Sequence, residues 1–299
     1  MTTPVSNTRD LPRITLITPS FNQDPYLEET INSVLDQGYP NLQYGIIDGG
    51  STDDSYKIIE KYRDRLDFAV IEPDNGQTDA INKGLALADG EIVGWLCSDD
   101  TLLPGALHTI GEHFAVNPQD DWIAGACQVI NAQGAVTETV FPCGEFTIPG
   151  ILLRDEDRPF NLPQPGVFWR RSLHDLLGML DESLHYCMDF EFWLRLIESG
   201  RTPALLDTAL ATYRLHESSK SCATPIGFTR EHIRIESGYA RNLPLPQRLR
   251  FQRRLGYMQR ACAIYDSKGQ VWPEVMRRPW WLLSHQVRQA IMQGDRKAA

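Results

Sequence analysis

Two adjacent aspartates, Asp99 and Asp100, lie just after an apolar run, "GEIVGWLC", that ends at Cys97. Carboxylates this close repel each other unless a cation or a set of hydrogen-bond donors compensates their charges. A divalent metal ion is the obvious candidate for such a cation. The alternative is a helix start, where aspartates meet unpaired backbone amides, since a helical pattern begins near Pro104. The pair predicts a divalent metal site, with helix capping as the structural alternative.

A second pair of carboxylates, Asp189 and Glu191, lies in the helical pattern "MDFEFWLRL". Residues two positions apart on a helix point to different sides, so we expect at most one of them to do chemistry. Glu191 has Arg195 four residues later, the favourable order for an ion pair, whereas Asp189 has Trp193 there. Of the two, Asp189 is therefore the carboxylate without a local cation and the better candidate for chemistry, with helix N-capping as its structural alternative.

The first hundred residues alternate between strand-like and helix-like patterns. The strand-like runs are "RITLIT" from Arg13, "LQYGIID" from Leu42, "DFAVIE" from Asp67 and "EIVGWL" from Glu91. Each is followed by a stretch with helical spacing, such as residues 26–37, whose apolar side chains share one face. Alternation of this kind predicts an α/β fold with a mostly parallel sheet, and ligands of such sheets bind beyond the carboxyl ends of the strands.

Four polar loops follow these strands. They are "PSFNQ" from Pro19, "DGGSTDDS" from Asp48, "EPDNGQTDA" from Glu72 and "CSDD" from Cys97. Such residues are common in loops for turn chemistry alone. Four polar loops at one edge, the last ending in an acidic pair, nevertheless predict a binding cleft. Within them, the spacing of Ser51 and Asp54 predicts a capping box, and Pro104 suits the first turn of the next helix.

The chain beyond residue 120 shows a different pattern. The run "WIAGACQVINAQGAVTETVF" predicts two strands around a turn at residues 131–134. A helix is expected to begin near Asp189, and "TPALLDTALATYRLH", from Thr202, is expected to be extended.

Composition sets limits on the class of protein. The 299-residue chain is 42% apolar, which is enough to build a core. Its six cysteines show no metal-finger spacing and its first residues have no apolar core, so we expect a cytosolic protein with reduced thiols. No apolar run approaches the roughly 18 residues that would suggest a membrane span.

Charge is distributed unevenly along the chain. Residues 241–299 carry 12 Lys or Arg and 3 Asp or Glu, against 17 and 36 in residues 1–240. Two amphipathic basic patterns, at 243–261 and 277–292, suit attachment to anionic lipid headgroups. The alternative is that these helices cover the acidic body, within one chain or in a homo-oligomer. Nucleic acid is not expected as a partner, because the acidic body would repel it.

Seven motifs carry a resemblance to a known family. In chain order they are "TPSFNQ", "IDGGSTDDS", "DNGQTDAINKG", "GEIVGWLCSDD", "QPGVFWRRSL", "MDFEFWLRL" and "YRLHESSKS". Together, from about Ile14 to Ser221, they resemble the inverting glycosyltransferases of family 2. The resemblance implies the A-type nucleotide-sugar transferase fold (GT-A), a mostly parallel sheet flanked by helices. It implies a domain over residues 1–222, with a nucleotide-binding half at about 13–118 and an acceptor half at about 119–222, and then a basic helical extension over 223–299.

The resemblance also implies roles for individual residues. The nucleoside-diphosphate sugar donor would contact Pro19, Phe21, Asn22, Asp48, Asp79, Lys83, Ser98, Asp99 and Lys220. Mg²⁺ or Mn²⁺ would meet Asp99, Asp100 and His216, with Asp100 as the favoured direct ligand. The base would be Asp189, and the acceptor would contact Trp169, Arg170 and Trp193. Structural roles remain open as alternatives: Asp79 can pair with Lys83, and the tryptophans can belong to the core.

Two details refine the expected donor site. An acidic acceptor at Asp48 suits the imide of uracil or thymine, so UDP or dTDP is expected ahead of GDP. Many relatives carry a third acidic residue where this chain has Cys97 or Ser98, which leaves the ligand set open.

The predicted function is a metal-dependent inverting glycosyltransferase. It would move a hexose-type sugar to a hydroxyl of a glycan or lipid-linked acceptor in cell-surface polysaccharide synthesis, in the cytoplasm or at the inner face of the cell membrane. A sugar nucleotidyltransferase would need a Gly-rich triphosphate loop after the first strand, and a dehydrogenase would need GxGxxG there; "PSFNQ" provides neither. A non-catalytic nucleotide- or sugar-binding scaffold is the third alternative, and it would tolerate the loss of the carboxylates.

Overall fold

The computed structural model describes residues 11–155 and 157–268, which form two compact units. Of the described residues, unit one contains 11–142, 162–185 and 202–214. Unit two contains 143–155, 157–161, 186–201 and 215–268. The domain boundary expected near residue 222 therefore falls inside unit two.

Eight strands and ten α-helices occur in the described ranges. The strands are β1 (Ile14–Ser20), β2 (Leu42–Asp48), β3 (Phe68–Ile71), β4 (Ile92–Trp95), β5 (Trp122–Asn131), β6 (Val136–Val140), β7 (Val167–Arg170) and β8 (Ala204–Leu215). The helices are α1 (Asp24–Leu35), α2 (Ser55–Lys61), α3 (Gln77–Leu87), α4 (Ala106–Val116), α5 (Ile148–Leu152), α6 (Leu173–Leu177), α7 (Met188–Glu198), α8 (Lys220–Ala223), α9 (Pro225–Ala240) and α10 (Leu245–Lys268). Short 3₁₀ turns lie at Arg63–Arg65 and Gln164–Gly166.

The strands form one mixed sheet in the order β3-β2-β1-β4-β7-β5-β6, with β8 paired to β5. The first four strands in this order are parallel, and Ile14 of β1 lies opposite Leu42 of β2 and Ile92 of β4. This confirms the parallel sheet predicted for the first hundred residues. β7 is antiparallel to both β4 and β5, and the predicted hairpin makes β6 antiparallel to β5.

The core of unit one lies between the sheet and its helices. All seven residues of β1 are buried, as expected for a strand covered on both faces. The predicted apolar face of α1 packs inward through Leu27, Ile31 and Val34, each fully buried. Burial of side chains of this size stabilises the fold by about 1.5–3 kcal/mol each. This packing holds the carboxyl ends of the parallel strands, and their loops, at one edge.

Unit two is built mainly from helices α5, α7, α9 and α10. Leu152, Phe251 and Leu255 belong to its apolar cluster, which includes residues from both C-terminal helices. Beside the cluster, the buried carboxylate of Glu236 pairs with Arg154 and with Arg254. The helical extension expected from the sequence is therefore present over the described residues, and one face of it packs within unit two.

Two observations concern the expected contact of the C-terminal helices with a membrane. No helix within the described ranges is both long and apolar enough to cross a bilayer. The second basic pattern, residues 277–292, lies outside the described residues.

Two local predictions are wrong for identifiable reasons. Ser51 caps no helix, because α2 begins only at Ser55, and the Ser51 hydroxyl donates to Asp48 instead. Pro104 precedes α4, which begins at Ala106 after Gly105 adopts a left-handed conformation with φ of 81°. In both cases the loop is longer than the local pattern suggested.

Candidate active site

The acidic pair lies in the loop after β4, at the carboxyl edge of the parallel strands. One ligand atom from each of Cys97, Asp99 and Asp100 lies within 4.8 Å of the others. Asp100 is buried, whereas Asp99 and Cys97 are partly exposed. Burial, and then repulsion by Asp99, raise the pKa of Asp100 well above its ordinary value. The three side chains form one partly open cluster in which negative charge is concentrated.

Arg214 of β8, which the sequence patterns did not single out, holds this loop. Its backbone N–H donates to Asp100 Oδ1 at 2.7 Å, and its Nε donates to the Asp99 carbonyl oxygen at 2.7 Å. The guanidinium also pairs with Glu29 at 2.7 Å, although the side chain of Arg214 is only 2% exposed. The available signal was an arginine inside a strand pattern, in the motif "YRLHESSKS". Arg214 therefore orients Asp100 and partly offsets its charge.

The cluster fits a divalent metal better than it fits helix capping. The next helix begins at Ala106, so Asp100 does not cap it. The loop backbone is fixed from the other side by Thr30, whose hydroxyl donates to the carbonyl oxygens of Ser98 at 3.0 Å and Asp100 at 2.7 Å. The two carboxylates suit Mg²⁺ or Mn²⁺, whereas the thiol is a ligand that softer metals prefer. The donor set is therefore compatible with either metal.

The loops after β1 and β2 are joined at the same edge. The backbone N–H of Asn22 donates to Ser51 Oγ at 2.8 Å, and its side-chain oxygen accepts the N–H of Thr52 at 2.8 Å. Asn22 has a φ of 52°, a left-handed conformation that asparagine tolerates better than most residues. The turn leaves the adjacent Phe21 58% exposed. An exposed ring at this edge can stack against a flat ligand.

Asp48 organises the second loop from a fully buried position. Its Oδ1 accepts the N–H groups of Gly50 at 3.1 Å and Ser51 at 2.8 Å, and its Oδ2 accepts the Ser51 hydroxyl at 2.6 Å. The structure thus places Asp48 beneath the loop. Pro19 is buried beside it, opposite Ile47 in the β1–β2 register.

Asp79 and Lys83 form the ion pair that was the structural alternative for them. Lys83 Nζ lies 3.6 Å from Asp79 and 2.9 Å from Glu72. Its hydrogen bond to Glu72 raises the pKa of Lys83. Asp79 also accepts the backbone N–H of Asn75 at 2.9 Å. Both residues stabilise the turn that opens α3, at the carboxyl end of β3.

Asp189 lies in the first turn of α7, in unit two. The N-cap of this helix is Cys187, so N-capping does not account for Asp189. Asp189 Oδ1 accepts the N–H of Phe190 at 2.7 Å, and no cation pairs with Asp189 within the described ranges. Burial raises its pKa to about 6, against the effect of the backbone hydrogen bonds. By contrast, Glu191 pairs with Arg195 at 2.9 Å, as predicted. The pKa of Asp189 therefore lies above that of an ordinary aspartate but below neutral pH.

Three other predicted residues also belong to unit two. His216 is buried, with Nδ1 2.9 Å from the Ser218 hydroxyl. Lys220 is exposed at the start of the short helix α8. Trp193 is 2% exposed and belongs to the buried side of α7.

Trp169 and Arg170 lie away from the acidic pair within unit one. Because β7 is antiparallel to β4, they lie opposite Val93 and Ile92, at the amino end of β4. Trp169 is fully buried, and its indole N–H donates to His174 at 3.0 Å. Arg170 pairs with Glu91, the residue that precedes β4. The acceptor contacts expected of these two residues therefore do not fit their positions, and both serve the packing of the sheet.

Comparison with known proteins gives a consistent result. Residues 15–172 match the family model described as glycosyl transferase family 2. The chain is 27% identical over 229 residues to the putative teichuronic acid biosynthesis glycosyltransferase TuaG of Bacillus subtilis, covering 70% of this chain and 82% of TuaG. It is 28% identical over 195 residues to the uncharacterized glycosyltransferase Rv1514c of Mycobacterium tuberculosis, covering 62% of this chain and 68% of that protein.

Solved structures share the fold. S. aureus TarS 1–349 in complex with UDP-GlcNAc matches with a TM-score of 0.61 and 20% identity, covering 94% of this chain and 84% of that one. The mannosyltransferase PcManGT from Pyrobaculum calidifontis, in complex with GDP-Man and Mn²⁺, matches with a TM-score of 0.61 and 16% identity, covering 97% of this chain and 88% of that one. The GT-A fold expected from the sequence is therefore confirmed.

Proposed function

The chain belongs to glycosyl transferase family 2 and is a glycosyltransferase, and we propose that it uses a nucleoside-diphosphate sugar and a divalent metal to glycosylate a hydroxyl with inversion. The observation that carries this proposal is the cluster of Cys97, Asp99 and Asp100 at the carboxyl edge of parallel strands. Ligands of open α/β sheets bind at this edge. The joined loops after β1 and β2 provide the adjacent surface.

The donor is proposed to be a uridine or thymidine diphosphate sugar. Phe21 would stack against the base, and the loop held by Asn22 and Asp48 would shape its pocket. Asp48 Oδ2 accepts the Ser51 hydroxyl, and because a carboxylate oxygen can accept two hydrogen bonds it suits the single imide N–H of uracil or thymine. TarS binds UDP-GlcNAc, which supports this choice, whereas PcManGT binds GDP-Man. Asp79 and Lys83 would support the same pocket through the turn that opens α3.

The metal is proposed to bind through Asp99 and Asp100, with His216 as a further candidate ligand and Cys97 beside the carboxylates. When bound, a divalent cation would neutralise the charge that develops on the diphosphate as it leaves. The carboxylate of Asp100 is held by Arg214, and the Ser98 backbone is held by Thr30, so the chain supplies a fixed set of oxygens. Lys220 is proposed to contact the diphosphate.

Asp189 is proposed to be the general base. It would take the proton of the acceptor hydroxyl while the oxygen attacks the anomeric carbon from the face opposite the diphosphate. The bond from the anomeric carbon to the diphosphate oxygen breaks as the new bond forms, which inverts the configuration. A carboxyl with a pKa of about 6 is ionised at neutral pH and still binds a proton well.

The acceptor is proposed to be a glycan or lipid-linked hydroxyl in cell-surface polysaccharide synthesis. Support comes from TuaG, whose name assigns it to teichuronic acid biosynthesis. A non-catalytic scaffold protein is disfavoured because the chain has both a candidate base and a cluster of side chains that could bind a metal ion. Nucleotidyl transfer is disfavoured because "PSFNQ" lacks a Gly-rich triphosphate loop.

Calorimetric titration of UDP, dTDP and GDP, with Mn²⁺ and then with EDTA, tests the proposal. We expect UDP or dTDP to bind with Mn²⁺ and to bind much more weakly with EDTA. Tighter binding of GDP would overturn the proposed donor class. Equal binding of all three nucleotides with and without metal would overturn the metal-dependent donor site.

An anionic lipid surface is proposed as the partner of the exposed face of α10. Leu245 and Leu249 are 58% and 59% exposed there. Arg248, Arg253 and Arg260 are also exposed, and none of them forms an ion pair with a described acidic residue. Apolar side chains beside unpaired arginines are typical of helices that lie in a membrane interface.

Co-sedimentation with phosphatidylcholine vesicles, with and without phosphatidylglycerol, checks this contact. We expect binding only to the anionic vesicles, weakening as salt screens the arginines. The double variant R248E/R253E should lose binding, whereas the control R65E, at another exposed arginine, should keep it. Equal binding by both variants would contradict a role for α10.

A further inference from the structure

Helix α9 contacts the two residues that lead into the helix carrying Asp189. Glu231 of α9 accepts the backbone N–H of Tyr186 at 2.9 Å and that of Cys187 at 2.8 Å, both through Oε2. Cys187 is the N-cap of α7, and Asp189 follows two residues later. One carboxylate oxygen thus fixes the backbone immediately before the proposed base.

Two further contacts join the same partners. The Cys187 thiol donates to the carbonyl oxygen of Phe228 at 3.6 Å, and the rings of Tyr186 and Phe228 lie 5.1 Å apart. Gly227 lies so close that a Cβ there would be 2.5 Å from the Tyr186 ring. Side chain, backbone and ring contacts therefore all hold residues 186 and 187 against the first turns of α9.

The residue after Asp189 is held by the same part of unit two. The Phe190 ring lies 4.4 Å from the ring of His232, on α9, and 5.5 Å from the guanidinium of Arg154. Asp189 is thus flanked along the chain by segments that α9 contacts. Side chains at catalytic positions must be held closely, since a displacement of about 1 Å can cost roughly 100-fold in rate.

We propose that Glu231 is a positioning residue for Asp189, through its two hydrogen bonds to the chain before α7. Helix α9 would then help to position the proposed base, in addition to any role of the C-terminal helices in packing or in membrane contact. A hydrogen-bond acceptor at position 231 is required, because a buried backbone N–H group without a partner destabilises the fold. A carboxylate accepts such hydrogen bonds more strongly than a neutral group does. The inference rests on the proposed role of Asp189 as the base.

The test compares Glu231→Ala with Glu231→Gln. Donor hydrolysis, with water as the acceptor, is measured on UDP-GlcNAc and UDP-glucose with Mn²⁺, together with UDP affinity by calorimetry. We expect E231A to lose roughly 10–100-fold in kcat because Asp189 is displaced, with unchanged UDP affinity. E231Q keeps an acceptor oxygen and should retain most of kcat. The control E198A removes an exposed carboxylate at the other end of α7 and should match the wild type.

A second variant keeps the inference testable if E231A fails to fold. Gly227→Ala disturbs the same segment through the Tyr186 ring, and we expect it to lower kcat while UDP affinity is unchanged. Wild-type kcat in E231A, or an equal loss in E231Q and E231A, would overturn the positioning role. Wild-type hydrolysis in Asp189→Asn would instead reject the base itself, so the two failures can be distinguished.

Discussion

Asp189→Asn is expected to reduce sugar transfer by roughly 10²–10⁴-fold, the usual contribution of a general base, while metal-dependent nucleotide binding stays at the wild-type level. The amide has nearly the same shape but cannot accept the proton of the acceptor hydroxyl. The measurement is donor turnover together with calorimetric UDP binding, each with Mn²⁺. Glu191→Gln is the matched control, because Glu191 is committed to Arg195 and should be dispensable for proton transfer. Wild-type turnover by D189N would remove Asp189 from the mechanism.

The same variant should be more stable than the wild type at alkaline pH. Burial raises the pKa of Asp189 from 3.8 to about 6, so the folded state binds this proton more tightly than the unfolded chain does. The wild type therefore loses stability as pH rises from about 4 to 6, and the loss persists above that range. Asparagine carries no charge, so D189N should gain roughly 1–3 kcal/mol at pH 8 and nothing at pH 3. Thermal unfolding at the two pH values measures the difference. A destabilised D189N at pH 8 would contradict the raised pKa of Asp189.

Asp100→Asn is expected to weaken nucleotide binding in the presence of Mn²⁺ by about 100-fold or more, since one of the two proposed carboxylate ligands loses its charge. Asparagine is the appropriate substitution because its side-chain oxygen can still accept the N–H of Arg214, which keeps the loop in place. Binding measured with EDTA should be unchanged. Calorimetric titration of UDP checks both statements.

The control for this variant is Asp64→Asn, which removes an exposed carboxylate in the 3₁₀ turn Arg63–Arg65, outside the strand-end loops. D64N should bind UDP with Mn²⁺ as the wild type does. Equal metal dependence in D100N and the wild type would show that Asp100 is not a ligand, and Asp99 and Cys97 would remain as the candidates.

Much of the donor half could be predicted from local pattern. Apolar runs followed by helical spacing indicated β1 to β4, and their polar ends indicated the edge where the acidic pair lies. The ion pair of Glu191 with Arg195 also followed from local spacing, because it depends only on residues four apart on one helix. Predictions of this kind succeed because the interactions that decide them lie within a few residues of each other.

Other features depended on contacts between distant segments. Arg214 holds Asp100 from 114 residues away. Trp169 and Arg170 lie at the amino end of β4 because β7 runs antiparallel, a direction that their own motif does not encode.

The sequence by itself determined the family and the parallel half of the sheet. It also determined which residue types could hold a metal or take a proton. Each of these follows from short motifs of neighbouring residues. Only the tertiary structure showed that Asp48 accepts hydrogen bonds from Gly50 and Ser51 of its own loop and that Arg214 orients Asp100. It also showed that Glu231 holds the chain before Asp189 through Cys187, which lies 44 residues earlier in the sequence than Glu231. These roles arise because buried N–H groups and carboxylates must find partners wherever the fold brings them, and that partner is rarely a neighbour in sequence.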